Sequence, residues 1–286
     1  MDKKKLELLV KCIAFVLALG LFCVLVIWFK NFDKGRDTQY QVVCMGDSNF
    51  GNVRDATGIV ALLGEKIGKN TLNAAFGGSM MTVPKSLKTE YQGAVSMHNL
   101  AISICNDNFG IQKSAIVALE RRSGVENYLA TLEGLVNVDF DSVELLIIEH
   151  GVNDYLSGVP IKNGRDKYDT DTFCGALATV VTILRKEYPN MRIVLVTPAY
   201  CAPTAQDGSY RYCDEIDYGG GYLEDYVNAE ISLAEEMDVE IIDLYHILDM
   251  NKNNFETYLF DGLHFGEYGR KIVADIIADY LLGETK

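Results

Sequence analysis

A serine, two histidines and two aspartates stand where their types and spacing suit acyl transfer. Ser48 lies in Gly46-Asp47-Ser48-Asn49, directly after a short apolar run. Two of the four histidines follow an aspartate by three residues, in Asp243-Leu244-Tyr245-His246 and in Asp261-Gly262-Leu263-His264. A serine whose proton passes to a histidine oriented by a carboxylate attacks ester carbonyls. These residues predict nucleophilic chemistry if the fold brings them together.

The two Asp-x-x-His motifs differ in their predicted surroundings. Asp243 and His246 continue an apolar run that predicts a strand, where residues three apart point to opposite faces, so we expect a structural role for His246. Asp261 and His264 lie in a glycine-containing loop directly before the last predicted helix. We therefore favour His264 as the general base and Asp261 as the acid that orients it.

Two further motifs carry groups that can stabilise an oxyanion. In Phe76-Gly77-Gly78-Ser79, the glycines leave backbone N–H groups open to close approach by a substrate oxygen. In Gly151-Val152-Asn153-Asp154, the side-chain amide of Asn153 is a hydrogen-bond donor. Each motif also has an ordinary interpretation, as a turn or a helix cap. Taken singly, these motifs do not decide the function.

Apolar runs alternate with helical patterns along the greater part of the chain. The predicted strands are 40–45, 71–76, 143–148, 192–196 and 239–244. Apolar residues at helical spacing predict helices at about 52–68, 171–187, 222–236 and 266–282, with a mostly helical insertion at 85–135. Strands separated by helices predict a parallel sheet with helices on both faces, whose ligands bind outside the carboxyl ends of the strands. The four motifs fall at that edge.

The first 36 residues differ in character from the rest. They carry a net charge of +4, against −18 for residues 37–286, within a total of −14. We expect a short cytoplasmic N-terminus at 1–11, a transmembrane signal-anchor helix at 12–29, a linker at 30–38 and an exported globular domain at 39–284. Secretion after cleavage of a signal peptide is the alternative. The acidic domain disfavours nucleic acid as a partner.

The seven cysteines do not settle the compartment of the protein. Their spacings match no zinc-binding pattern. Cys201 and Cys213 flank a polar loop and can form a disulfide, but buried free thiols are an equally good interpretation. Both interpretations stay open.

Taken in chain order, the motifs are G-D-S after the first strand, glycine after the second, G-x-N-D after the third, and D-x-x-H before the last helix. This order resembles the SGNH, or GDSL-type, hydrolase family from about residue 39 to 284. The resemblance implies a three-layer α/β/α, flavodoxin-like fold with a five-stranded parallel sheet. Asn49 departs from the family motif, which has leucine there, at a position outside the reacting groups.

The same resemblance implies a role for each motif. Ser48 is the expected nucleophile, and Asp261 and His264 are the expected acid and base. The N–H groups of Ser48 and Gly78, with the amide of Asn153, are the expected oxyanion hole. No metal or cofactor is needed for this chemistry.

The expected activity is that of a membrane-anchored, exported serine esterase. Its expected substrates are small acyl esters, acetyl first, either small molecules or glycans. A lysophospholipase or thioesterase acting on lipid esters is one alternative. An O-acyltransferase, in which a sugar hydroxyl replaces water, is another. The intact set of motif residues argues against a non-catalytic binding module.

Overall fold

The computed structural model describes residues 36–83, 90–123 and 128–284. Residues 37–286 form one compact unit of the chain. The predicted transmembrane helix at 12–29 lies outside the described residues. In the described ranges, no helix combines the length and the apolar character that a membrane span requires.

Five parallel strands form one sheet, which confirms the sequence prediction. They are β1 (Val42–Gly46), β2 (Thr71–Asn73), β3 (Leu145–Glu149), β4 (Arg192–Val196) and β5 (Glu240–Ile242). From edge to edge, their order is β2-β1-β3-β4-β5. The chain thus leaves β1 towards one edge and later returns to build β3 on its other side. This reversal creates a topological switch point between β1 and β3, where ligands bind in such sheets.

The central strands are buried along their whole length. All five residues of β1 and all five of β3 are buried, as expected for continuous apolar runs covered by helices on both faces. β2 is shorter than predicted because the chain leaves strand geometry after Asn73. Hydrogen bonds from Ala74 to Cys44 (2.8 Å) and from Phe76 to Gly46 (3.0 Å) still hold this segment beside β1.

Twelve α-helices occur in the described part of the chain. They are α1 (Ser48–Gly51), α2 (Ile59–Ile67), α3 (Glu90–Ala94), α4 (Met97–Asn106), α5 (Gly110–Ser123), α6 (Tyr128–Val136), α7 (Val152–Leu156), α8 (Phe173–Glu187), α9 (Leu223–Glu236), α10 (Leu244–Leu248), α11 (Phe255–Tyr258) and α12 (Glu267–Leu282). α2 packs against α12, whereas α8 packs against α4 and α9. These two groups cover the sheet in the α/β fold that the sequence predicted. The insertion at 85–135 is helical where it is described.

The ends of β1 and β3 bring the first and third motifs to the same level. Gly46 is paired with Glu149 in the parallel register, so both strands stop at one edge of the sheet. Asp47 then caps α1, its carboxylate accepting a hydrogen bond from the N–H of Asn49 at 2.8 Å. Gly151 is the N-terminal capping residue of α7 after β3, without a side-chain hydrogen bond. The switch point therefore carries Ser48 on one side and Asn153 on the other.

Candidate active site

Ser48, His264 and Asp261 form one continuous hydrogen-bonded chain. Ser48 Oγ lies 2.9 Å from His264 Nε2, and His264 Nδ1 lies 2.6 Å from Asp261 Oδ2. With Nδ1–H donated to the carboxylate, Nε2 has a lone pair that accepts the serine proton. The serine is 216 residues away from the histidine in sequence, and the fold brings them into direct contact. The geometry is that of a nucleophile, a base and an orienting acid.

The conformation of the loop that carries Asp261 and His264 is fixed by hydrogen bonds within the loop and by close packing of Gly262 against Ala202. Asp261 Oδ1 accepts hydrogen bonds from the backbone N–H of His264 (2.7 Å) and of Leu263 (3.0 Å). Burial raises the pKa of Asp261, but the hydrogen bonds from the imidazole and from these N–H groups outweigh it and bring that pKa below its ordinary value. Gly262 has φ +79°, and a Cβ there would lie 2.0 Å from the carbonyl oxygen of Ala202. Glycine is thus required for the close seating of this loop.

The second Asp-x-x-His motif also forms a contact, but it lies apart from the serine. We predicted that Asp243 and His246 would point to opposite faces of a strand, and this reasoning was wrong. β5 ends at Ile242, and Asp243 caps α10, which places both residues on one side of a helical turn. His246 Nδ1 lies 2.8 Å from Asp243 Oδ2, and Nε2 lies 3.4 Å from Glu224.

The turn that carries Gly78 is fixed through its neighbour Ser79. The Ser79 hydroxyl donates to Val95 O at 2.6 Å, and His150 Nε2 lies 3.1 Å from the same hydroxyl oxygen. Since the hydroxyl hydrogen is used on Val95, the proton of the imidazole must be on Nε2. Burial lowers the pKa of His150 to about 3, so the ring is neutral. His150 therefore fixes the turn through Ser79 and, in the described part of the chain, forms no hydrogen bond with a carboxylate.

Gly78 and Ser48 both present backbone N–H groups at this edge. Gly78 has φ +72°, a conformation that glycine adopts without strain. Among the described residues, neither the N–H of Gly78 nor that of Ser48 has a hydrogen-bond acceptor. These two N–H groups are therefore free to bind an oxygen of another molecule.

Asn153 reaches the same place, but its amide already has two partners. Asn153 Nδ2 lies 3.0 Å from Asp47 Oδ2 and 3.0 Å from Ser79 O. These bonds tie the third motif to the first and to the second, and they orient the amide nitrogen. To donate to an oxyanion as well, the amide must share one of these two hydrogens.

Two buried carboxyl groups meet directly beneath the serine. Asp47 and Glu149 are almost fully buried, and their carboxyl groups are hydrogen-bonded to each other. Glu149 Oε2 has no donor near it in the described residues. Burial raises the pKa of both groups, and two carboxylates in contact cannot both be ionised at low cost. The pair therefore holds a proton, which Glu149 donates to Asp47, while Asp47 also accepts from Asn49 and Asn153.

We expect Glu149→Gln to reduce the loss of stability as pH rises. Glu149 has a raised pKa in the folded protein. Its contribution to the free energy of unfolding is therefore fully present below its ordinary pKa of 4.5, and this contribution is lost as pH rises through the pKa of the folded state. One proton retained only in the folded state makes the free energy of unfolding fall by about 1.4 kcal/mol per pH unit. The side-chain amide of Glu149→Gln can donate the same hydrogen bond to Asp47 without titrating. The free energy of unfolding of this variant should therefore fall less steeply with pH, by that amount.

Urea unfolding at several pH values between about 5 and 8 measures this slope. Glu133→Gln, at an exposed position, is the matched control and is expected to leave the slope unchanged. Equal slopes for wild type and Glu149→Gln would contradict the shared proton.

Sequence reasoning missed Glu149 and Ser79 as parts of the site, whereas the position of His150 directly before Gly151 already indicated that it could line the site. One signal was available for Glu149, since an acidic residue at the end of an apolar strand is buried only with a partner.

The described residues include no cluster of three or more His, Cys, Asp or Glu side chains that can hold a metal ion. Cys201 and Cys213 lie side by side as free thiols, the N–H of Cys201 being 3.3 Å from Cys213 Sγ.

The sequence is similar to several named esterases over part of its length. An isoamyl acetate-hydrolyzing esterase 1 homolog from Bos taurus is 27% identical over 136 residues, which cover 46% of this chain and 53% of the relative. A GDSL esterase/lipase from Arabidopsis thaliana is 30% identical over 115 residues, covering 38% of this chain and 46% of the relative. The chain thus matches about half the length of these curated relatives.

Solved structures share the fold over most of the chain. A protein from Lactobacillus plantarum superposes with a TM-score of 0.60 at 17% identity, covering 86% of this chain and 98% of that one. A carbohydrate acetylesterase from Sinorhizobium meliloti gives a TM-score of 0.51 at 15% identity, covering 86% and 100%. A sequence profile of the GDSL-like Lipase/Acylhydrolase family matches residues 44–272. Because that match extends over most of the chain, from the strand before Ser48 into the helix after His264, the protein belongs to the GDSL-like lipase/acylhydrolase family.

Proposed function

We propose that this protein is a serine esterase that hydrolyses small acyl esters, acetyl esters first, on a carbohydrate alcohol. The observation that carries the proposal is the contact of Ser48 Oγ with His264 Nε2 at 2.9 Å, with Asp261 on the other ring nitrogen. The name of the bovine relative supports an acetyl ester, although the match covers only part of each chain.

The first half of the reaction forms an acyl-enzyme. Ser48 Oγ attacks the ester carbonyl as its proton passes to His264 Nε2. Asp261 keeps the second ring proton on Nδ1 and stabilises the imidazolium that results. His264 then gives the proton to the departing alcohol oxygen, and the acyl group stays on Ser48.

The tetrahedral oxyanion is stabilised by the N–H groups of Ser48 and Gly78 and by the amide of Asn153. Losing one such donor typically costs about 3 kcal/mol of barrier. In the second half, water attacks the acyl-enzyme while His264 acts as base again. Ser48 is then released with its proton restored.

The preference for a carbohydrate ester rests on charge and on the proposed location. A domain with a charge of −18 repels strongly anionic substrates such as phosphate-bearing chains. Export would place the site where acetylated glycans occur. Tyrosines are also frequent in the loop after β4, and aromatic rings stack on the faces of sugars. The exposed ones are Tyr210, Tyr218 and Tyr222.

We propose that residues 12–29 anchor the chain in the membrane and that 39–284 face outward. The support is the uncharged run itself, with basic residues before it. The full-length protein is then expected to stay with membranes through a high-salt wash and to dissolve only in detergent. Recovery of a shortened, soluble form would contradict the anchor and indicate cleavage of a signal peptide.

A panel of esters tests the proposed activity with the full-length protein in mild detergent. The proteins compared are wild type and Ser48→Ala, and the substrates are p-nitrophenyl acetate, butyrate and decanoate, acetylated xylan and acetylated peptidoglycan. We expect serine-dependent turnover that falls with acyl length, together with release of acetate from one of the two polymers. A preference for decanoate would favour lipid esters instead. Acetyl transfer to an added sugar without hydrolysis would favour a transferase.

A further inference from the structure

An exposed phenyl ring stands directly against the histidine of the site. Phe260 is 68% exposed, and its ring is stacked on the imidazole of His264 with 5.9 Å between centroids and 26° between planes. A single exposed apolar side chain is ordinary on a protein surface. Phe260 differs from such residues because its ring lies against the imidazole of His264, which must exchange protons with the substrate.

The backbone fixes Phe260 relative to His264. The N–H of Phe260 donates to His264 O at 3.0 Å, and Leu259 forms an antiparallel bridge with Phe265. The N–H of Gly266 donates to Tyr258 O at 2.8 Å. The loop is therefore closed on itself, and the ring of Phe260 keeps its place beside the imidazole.

The chemistry decides which part of an ester this ring would meet. The base that takes the proton of Ser48 must hand it to the departing alcohol oxygen, which therefore lies within reach of His264 Nε2. The carbonyl oxygen points instead to the donors at Gly78 and Asn153. The alcohol part thus leaves along the side of the site that His264 and Phe260 border.

We propose that Phe260 is a specificity-determining residue that binds the alcohol part of the ester and selects ring-shaped alcohols with a flat apolar face. This inference rests on the proposed esterase function. A sugar ring and an aryl ring both present such a face, and both pack well on a phenyl ring. A short alkyl alcohol gains little from it.

Two series of esters, assayed with the full-length protein in detergent, separate the two ends of the substrate. One series keeps acetate and varies the alcohol through ethyl, phenyl and methyl glucoside. The other keeps p-nitrophenol and varies the acyl chain. For Phe260→Ala, we expect kcat/KM to fall about tenfold on the ring acetates, mainly through KM, with ethyl acetate and the acyl-length profile unchanged. Phe260→Tyr should retain the wild-type preference, and the relative losses on phenyl and glucoside acetates show which ring is preferred.

Tyr168→Ala is the matched control, because Tyr168 is also exposed and its ring contacts Lys167 rather than a residue of the candidate site. Lys167 in turn binds Glu236 at the end of α9. This variant should match wild type on every ester. Unchanged kinetics for Phe260→Ala, or an equal loss of kcat/KM on ethyl acetate, would contradict the proposed role of Phe260 without contradicting the esterase function. Absence of wild-type turnover above Ser48→Ala on all esters would overturn the esterase function and this inference with it.

Discussion

Ser48→Ala is expected to lower kcat on p-nitrophenyl acetate on the order of 10⁵-fold or more. The variant lacks the hydroxyl oxygen that is proposed to form the acyl-enzyme, whereas the donors at Gly78 and Asn153 remain. Substrate binding depends on these donors and on the surrounding surface, so KM should change little. Initial-rate measurements over a range of ester concentrations give both constants.

Ser232→Ala is the control for this substitution. Ser232 is exposed on α9, where its hydroxyl donates to Asn228 O at 2.8 Å, far in sequence from the motifs. Its kinetics should equal those of wild type, and thermal unfolding should show that Ser48→Ala is folded. Retention of more than about one per cent of the activity by a folded Ser48→Ala protein would exclude Ser48 as the nucleophile.

His264→Ala is expected to lose on the order of 10⁵-fold in kcat, and His246→Ala to lose less than about twofold. The comparison is unusually well matched, because both histidines contact an aspartate three residues earlier through Nδ1, at 2.6 Å and 2.8 Å. They differ in the partner of Nε2, which is Ser48 Oγ for His264 and Glu224 for His246. The difference in rate therefore measures the contact with the serine.

The same pair of variants has a clear contrary outcome. A large loss in His246→Ala with normal activity in His264→Ala would move the base to the other motif and overturn the site described above. Hydrogen bonds to Asp243 and Glu224 make some loss of stability in His246→Ala reasonable, so rates should be measured well below its unfolding temperature.

The fold was predictable because the chain follows strong local rules. β4 was predicted with its observed bounds, since RIVLV is a continuous apolar run ended by Thr197-Pro198. The sheet edges were harder to predict. β2 and β5 each have three residues, and propensity alone does not show where an edge strand stops pairing. The error at His246 has this origin, because the predicted strand continued through the residue that caps α10.

The groups that support the site were less predictable than its reactive atoms. Motif spacing indicates Ser48 and His264, because catalysis requires particular residue types near strand ends. The proton on the Asp47–Glu149 pair depends on burial and on a carboxyl contact across two strands, which no local pattern encodes. The stacking of Phe260 on His264 likewise depends on the closure of a loop.

The most direct test of the central claim is to locate the residue that an organophosphonate fluoride labels. This reagent phosphonylates a serine that a neighbouring base has activated. Mass spectrometry of the digested full-length protein should place the label on the peptide that contains Ser48 in wild type, in parallel with loss of activity, and should find none in His264→Ala. Labelling of another residue, or full esterase activity in protein without label at Ser48, would contradict the account.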